Sequence, residues 1–151
     1  MADSTVKIKF APASARLLAD LVKYADQKQV ALAITRGMRT WSEDTKRLSM
    51  GRVPVDTGAL RGTVFAQTER KGDRVTATIG AGGPSAPYAL AVHEHLSVHS
   101  PRSWRNKPNL DWNVPGTGPK YIENPINERA KLLPVEVNAE LEASLKRIGA
   151  K

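Results

Sequence analysis

Asp56-Thr57-Gly58, inside the stretch VPVDTGALR at 53–61, is the tripeptide that carries the reactive aspartate of acid proteases. That chemistry uses two carboxyls held too close for both to ionise. The chain has no second Asp-Thr/Ser-Gly, and ALRG continues polar where a catalytic strand would run on apolar, so only a homodimer could complete the pair. A structural reading accounts for each residue instead. Pro54 sets the direction of the chain, Asp56 bonds back to the amides of the turn, Gly58 supplies a permissive φ and Leu60 anchors the turn to the core.

The remaining chemical candidates are weaker. His93, Glu94, His95 and His99 form the one cluster with metal-site residue types, but it is not His-Glu-x-x-His, because no glutamate follows His95. His95 and His99 stand four apart, yet Ser97 and Pro101 indicate that a helix ends there, which favours histidines at a helix end or an interface over ligands. GAGGPSAP at 80–87 lacks the Gly-Lys-Ser/Thr of a phosphate loop, and no helix opens directly off its glycines. Cysteine is absent, which excludes thiolate nucleophiles, disulfides and Cys-based metal sites. No serine near the histidines sits in a nucleophile elbow. The expectation is no enzymatic activity, no cofactor and no metal.

Binding residues are more plentiful. Residues 97–118 show no sustained period and hold Trp104 and Trp112, with Arg102, Arg105 and Lys107 around them and Lys120 and Tyr121 just beyond. Such a set can stack on and pair with single-stranded nucleic acid, and the same residue types anchor protein interfaces. The loop's length and its two tryptophans favour a protein partner, with Trp104, Arg105 and Trp112 as the contact residues. The net charge is +8 and the pI about 10.0, so an anionic neighbour or a solubilising surface is implied. Residues 1–75 hold 14 Lys and Arg against 8 Asp and Glu, so the excess lies in the first half.

A length of 151 residues fits one domain spanning 1–151. Val6, Ile8 and Phe10 alternate as in a half-buried strand, ended by Pro12, and SARLLADLVKYA follows as a helix with Ser14 as N-cap. Asp26 can cap a long helix from about Gln27 to Ser49, with Val30, Ile34, Met38, Trp41, Thr45 and Leu48 as its apolar stripe. Its other faces carry Lys28, Arg36, Arg39, Lys46 and Arg47, and Gly51 and Pro54 are expected to stop it. Val64, Ala66 and Thr68, then Val75, Ala77 and Ile79, alternate around Lys71-Gly72-Asp73, which predicts a β-hairpin. GGPSAP reads as a flexible link into a short helix with Tyr88, Ala89, Val92 and Leu96 inward. From Pro119 the chain reads helical to about Ile148 through Leu132, Leu133, Val137, Leu141 and Leu145, with Pro134 kinking or breaking it. The fold class is α+β: a long N-terminal helical segment, an antiparallel hairpin, a short middle helix and a C-terminal helix. The first thirty residues have no signal-peptide pattern and no apolar run reaches membrane-spanning length, so the expected protein is soluble and remains where it is made.

These pieces, in this order, resemble the small neck proteins of long-tailed bacteriophages, the tail-completion or head-tail joining family of minor tail components. The resemblance covers roughly residues 15–147. Pro54, Val55, Asp56, Thr57, Gly58, Leu60 and Arg61 match the family's Pro-x-Asp-Thr-Gly-x-Leu-Arg turn. Tyr88, Ala89, Val92, His93 and Glu94 match its Tyr-Ala helix, and Lys120, Tyr121, Ile122 and Pro125 match the Lys-Phe-Leu-x-x-Pro that opens its last helix. The tryptophan-bearing loop is longer than the family's usual segment. The resemblance implies a virion protein, assembled in the host cytoplasm, that forms a ring, commonly a hexamer. Its implied neighbours are a portal, connector or head-closure protein on one side and a tail tube or tail terminator protein on the other. DNA would pass through the ring without being read, eased by a basic lining such as Arg36, Arg39, Lys46 and Arg47. From another class, the same charge would suit a nucleic-acid-binding protein using the long helix and the aromatic loop.

Overall fold

The computed structural model describes residues 27–55, 58–72, 74–94 and 116–147. Its elements in chain order are helix α1 (Gln27–Arg52), a single helical turn α2 (Ala59–Gly62), strands β1 (Phe65–Lys71) and β2 (Arg74–Gly80), and helices α3 (Ala89–His93) and α4 (Glu123–Arg129). A 3-10 turn (Ala130–Leu132) then leads into helix α5 (Leu133–Arg147). The fold is α+β, as expected. The strand read at 6–10, the helix at 14–25, the Asp26 cap, Asp73, Leu96 and Ile148 lie outside the described residues.

The described chain gathers into two compact units, one from residues 44–55, 58–66, 79–94 and 116–128, the other from 27–43, 67–72, 74–78 and 129–147. In the second unit, α1 buries Val30, Ala33 and Trp41, and α5 buries Leu133, Val137 and Leu141; the two helices meet at Gly37. Contact is closest at Gly37, where a Cβ would stand 2.6 Å from the Cα of Val137 and 3.1 Å from the carbonyl oxygen of Glu136. The Trp41 indole N–H donates to the carbonyl of Arg129 at 2.7 Å, and Arg129 pairs with Glu136. Both interactions tie the end of α4 and the start of α5 into this unit.

The buried face of α1 is rotated from the expected stripe. Val30, Trp41 and Thr45 are buried as read, but Ile34, Met38 and Leu48 are only half-buried, while Ala33, Gly37, Ser42 and Ser49 are buried. At Gly37 only a residue without a Cβ fits, because the backbone of α5 comes too close for a larger one. Ser42 Oγ donates to the carbonyl of Arg39 at 2.9 Å and lies 3.2 Å from Thr68 Oγ1 on β1, which satisfies a buried hydroxyl.

The hairpin follows its alternation: Ala66, Thr68, Val75, Ala77 and Ile79 are half-buried, and Phe65, Gln67, Glu69, Thr76 and Thr78 are exposed. Two helix boundaries differ from expectation. Gly51 lies inside α1, which ends at Arg52 ahead of Pro54, and the last helical stretch opens at Glu123 rather than Pro119. Pro134 does break that stretch in two, since it has no amide to donate and fits only the first turn of α5. The 3-10 turn ahead of it swings Leu132 out of the apolar stripe, leaving it 37% exposed. Among the described residues no helix is long and apolar enough to cross a membrane.

Candidate functional site

In the first unit, Val53 and Pro54 follow α1 as a buried pair, and the short α2 opens at Gly58. Gly58 has φ 84°, the left-handed region that a Cβ makes costly. Open space surrounds it, so the cost of Gly58→Ala is conformational alone, about 1 kcal/mol in chemical denaturation. No loss of stability in that variant would contradict the reading. Pro54 and Leu60 are buried, and Arg61 Nη2 lies 3.5 Å from the carbonyl of Val53. Asp56 and Thr57 lie outside the described residues.

Thr63 ties this turn to the segment after the hairpin. Its hydroxyl donates to the carbonyl of Leu60 at 2.7 Å and accepts the Gly82 amide at 2.9 Å. Gly82 and Gly83, at φ 113° and 118°, begin a turn closed by the Ala86 amide on the carbonyl of Gly83 at 3.0 Å. The expected flexible link is thus a built turn, which seats the fully buried Ala86 three residues ahead of α3.

Tyr121 is the centre of the unit. It is 1% exposed and shares one apolar cluster with Val53, Leu60, Val64, Ala86, Ala89 and Val92, against which Tyr88 and Ile122 pack. Its hydroxyl donates to the carbonyl of Ala89 at 2.9 Å, and its ring meets the His93 ring edge-on, centroids 5.0 Å apart. Pro125 is also buried, in the first turn of α4. Residues from 53–61, 88–94 and 120–125 therefore converge on one core.

Beside Tyr121 lies a polar cluster. The Lys120 amide donates to the carbonyl of His93 at 2.8 Å, and Lys120 Nζ reaches Glu94 Oε2 at 2.6 Å and Glu123 Oε2 at 3.0 Å. Lys120 is held at φ 57°, an uncommon conformation for a residue with a Cβ. His93 Nδ1 lies 2.8 Å from Glu94 Oε1, and the Glu123 amide points at Nε2 from 3.5 Å. The tautomer that satisfies both contacts has the proton on Nδ1. Hydrogen bonds from Lys120, then His93, hold the Glu94 carboxyl below its ordinary range. Those to Glu94 and Glu123 raise the Lys120 ammonium.

Glu94 therefore stabilises the fold above its unfolded pKa, about 4.3, and this contribution is lost as pH falls through the lower folded value. The raised Lys120 contributes below its unfolded pKa, about 10.4, and that contribution is lost as pH rises through the folded value. Both side chains are partly exposed, so solvent screening keeps the effect modest. Thermal melts of Glu94→Gln from pH 7 to pH 3 should show a shallower acid limb than wild type. An identical acid limb would remove Glu94 as a contributor.

The cluster fastens the two ends of the 95–119 segment to each other, and Gly118 adds a 3.0 Å bond to the carbonyl of Arg52. Arg52 itself makes a two-pronged pair with Glu128, both contacts at 2.6 Å. A base closed in this way should survive removal of the loop, since a shorter loop costs less closure entropy. Replacing residues 96–115 with a six-residue Gly-Ser linker should leave stability within about 1 kcal/mol of wild type. A loss on the scale of a core deletion would show that Trp104 or Trp112 belongs to the core.

A scan of protein-family models, a search of curated proteins and a search of solved structures each give no match to the chain. Among the described residues, no three His, Cys, Asp or Glu side chains gather as a metal site. His95 and His99 lie outside them, and both ring nitrogens of His93 already face protein groups. Of the candidate DNA-facing residues on α1, Arg36, Arg39 and Arg47 are exposed and Lys46 half-buried, with Arg47 3.3 Å from Asp44. Trp104, Arg105 and Trp112 lie outside the described residues. The sequence reading missed Gly37, Thr63, Arg52 and Glu128. Only Gly37 carried a local signal, as an isolated glycine inside a helical pattern.

Proposed function

We propose that the chain is a structural protein of the neck of a tailed bacteriophage, without enzymatic activity. Copies form a ring, hexameric in the family it resembles, between a portal, connector or head-closure protein and a tail tube or tail terminator protein. DNA passes through without sequence-specific contact. The observation that carries this reading is the convergence of the three resembling motifs. Leu60, Tyr88, Tyr121 and Ile122 come from all three and pack in one cluster, so the motifs act as a single structural unit.

The polar residues of the same motifs, His93, Glu94 and Lys120, satisfy one another. That arrangement suits a load-bearing joint better than a reacting site. The exposed Arg36 and Arg39 offer phosphate contacts. They also favour a second reading, a nucleic-acid-binding protein with steeply salt-dependent affinity. A reconstruction of assembled particles decides the first: density for the chain between head and tail is expected. Finding it only on the capsid shell or at the tail tip would overturn it. Retention of DNA at about 50 mM salt that vanishes in Arg36→Gln/Arg39→Gln, with no particle association, would favour the second.

A further inference from the structure

Among the described residues, Gly58, Gly72, Gly82, Gly83 and Gly116 have positive φ, and Lys120, at φ 57°, is the one residue with a Cβ that does. A left-handed backbone is disfavoured roughly five- to thirtyfold for such a residue. Glycine would remove that cost, so what lysine supplies at this position is its side chain. Lys120 Nζ reaches Oε2 of Glu94, which caps the end of α3, at 2.6 Å. It also reaches Oε2 of Glu123, the first residue of α4, at 3.0 Å. The ammonium thus bridges the helices on either side of the 95–119 segment, while the Lys120 amide donates to the His93 carbonyl at 2.8 Å. The side chains of Lys120, Glu94 and Glu123 are 39%, 29% and 43% exposed. A pair this open contributes at most about fivefold and is screened by salt. Side-chain attraction and backbone strain at Lys120 are therefore similar in size and opposite in sign.

We propose that Lys120 is an electrostatic latch. Its two ion pairs hold a strained backbone, so weakening them lets residue 120 leave the left-handed region and breaks the bond from its amide to His93. The release is local. Tyr121 next to it is buried in an apolar cluster with Ala89 and Val92, and apolar packing is not screened by salt. The core therefore stays closed while the junction between α3 and α4 opens, a sub-global opening of low free energy. The latch does not depend on the neck reading.

Amide hydrogen exchange followed by NMR on the purified full chain tests it, read at Lys120 and at Val92. The Val92 amide donates to the Tyr88 carbonyl inside the core and serves as the reference. Raising salt from about 50 mM to about 1 M should lower the protection factor of the Lys120 amide about fivefold and leave that of Val92 unchanged. Lys120→Met keeps the strained backbone without the charge, so it should show the lower protection already at the low salt and lose the salt response. Lys120→Gly removes charge and strain together and should regain protection relative to Lys120→Met. The wild-type comparison needs no variant to fold. A Lys120 amide indifferent to salt, equal losses at Lys120 and Val92, a salt response kept in Lys120→Met, or Lys120→Gly no better protected than Lys120→Met would each overturn the proposal.

Discussion

Gly37→Ala should destabilise the protein, although alanine is the better helix former by about 1 kcal/mol. The added Cβ meets the Cα of Val137 at 2.6 Å, its amide nitrogen at 3.0 Å and the Glu136 carbonyl oxygen at 3.1 Å. These are backbone atoms of α5 and cannot rotate aside, so the two helices must separate. Overpacking of this kind costs about 1–3 kcal/mol, occasionally more. Gly37→Ala should therefore lose about 1 kcal/mol net, and Gly37→Val about 3, a fall of about 6–12 °C in melting temperature for the valine. Gly51 supplies the control on the same helix. It has open space around it, so Gly51→Ala should gain about 0.5–1 kcal/mol. Equal stabilisation by both alanines in thermal melts would show that the close approach at Gly37 does not constrain the fold.

The contrast between these glycines shows what was legible from sequence. Periodicity located α1, the hairpin and α5, because one-sided burial writes a period of 3.6 or 2 into the chain. It misplaced the inner face of α1, since hydropathy ranks Ile34 and Met38 above Gly37 and Ser42, while helix contact selects for small size. Pro134 was legible as a break because its lost amide is a local property. Arg52 with Glu128, and Lys120 with Glu94, were not legible. Such pairs join residues distant in sequence, and each member alone looks like a surface charge. The motif residues Leu60, Tyr88 and Tyr121 could be named in advance, but their meeting in one cluster is a tertiary fact that no local pattern states.

Tyr121 is where that tertiary fact has its largest consequence. Tyr121→Ala empties a site that is 1% exposed and bordered by residues from all three motifs. Removing a large buried aromatic costs about 3–5 kcal/mol, a large share of the roughly 5–15 kcal/mol that holds a domain together. Tyr121→Phe keeps the ring and removes only the bond to the Ala89 carbonyl, a cost of about 0.5–1.5 kcal/mol. The difference between the two variants in chemical denaturation separates volume from hydroxyl. Similar losses in both would mean that the hydrogen bond, not the packing, governs the cluster. Burial pushes the phenol far above its ordinary range, with the neighbouring Tyr88 adding to the effect. The stability tied to its neutral form is thus intact below the unfolded value, about 10, and is lost as pH rises beyond it. Followed by ultraviolet absorbance, one of the three tyrosines should therefore ionise only together with alkaline unfolding in wild type. In Tyr121→Phe that late step should disappear.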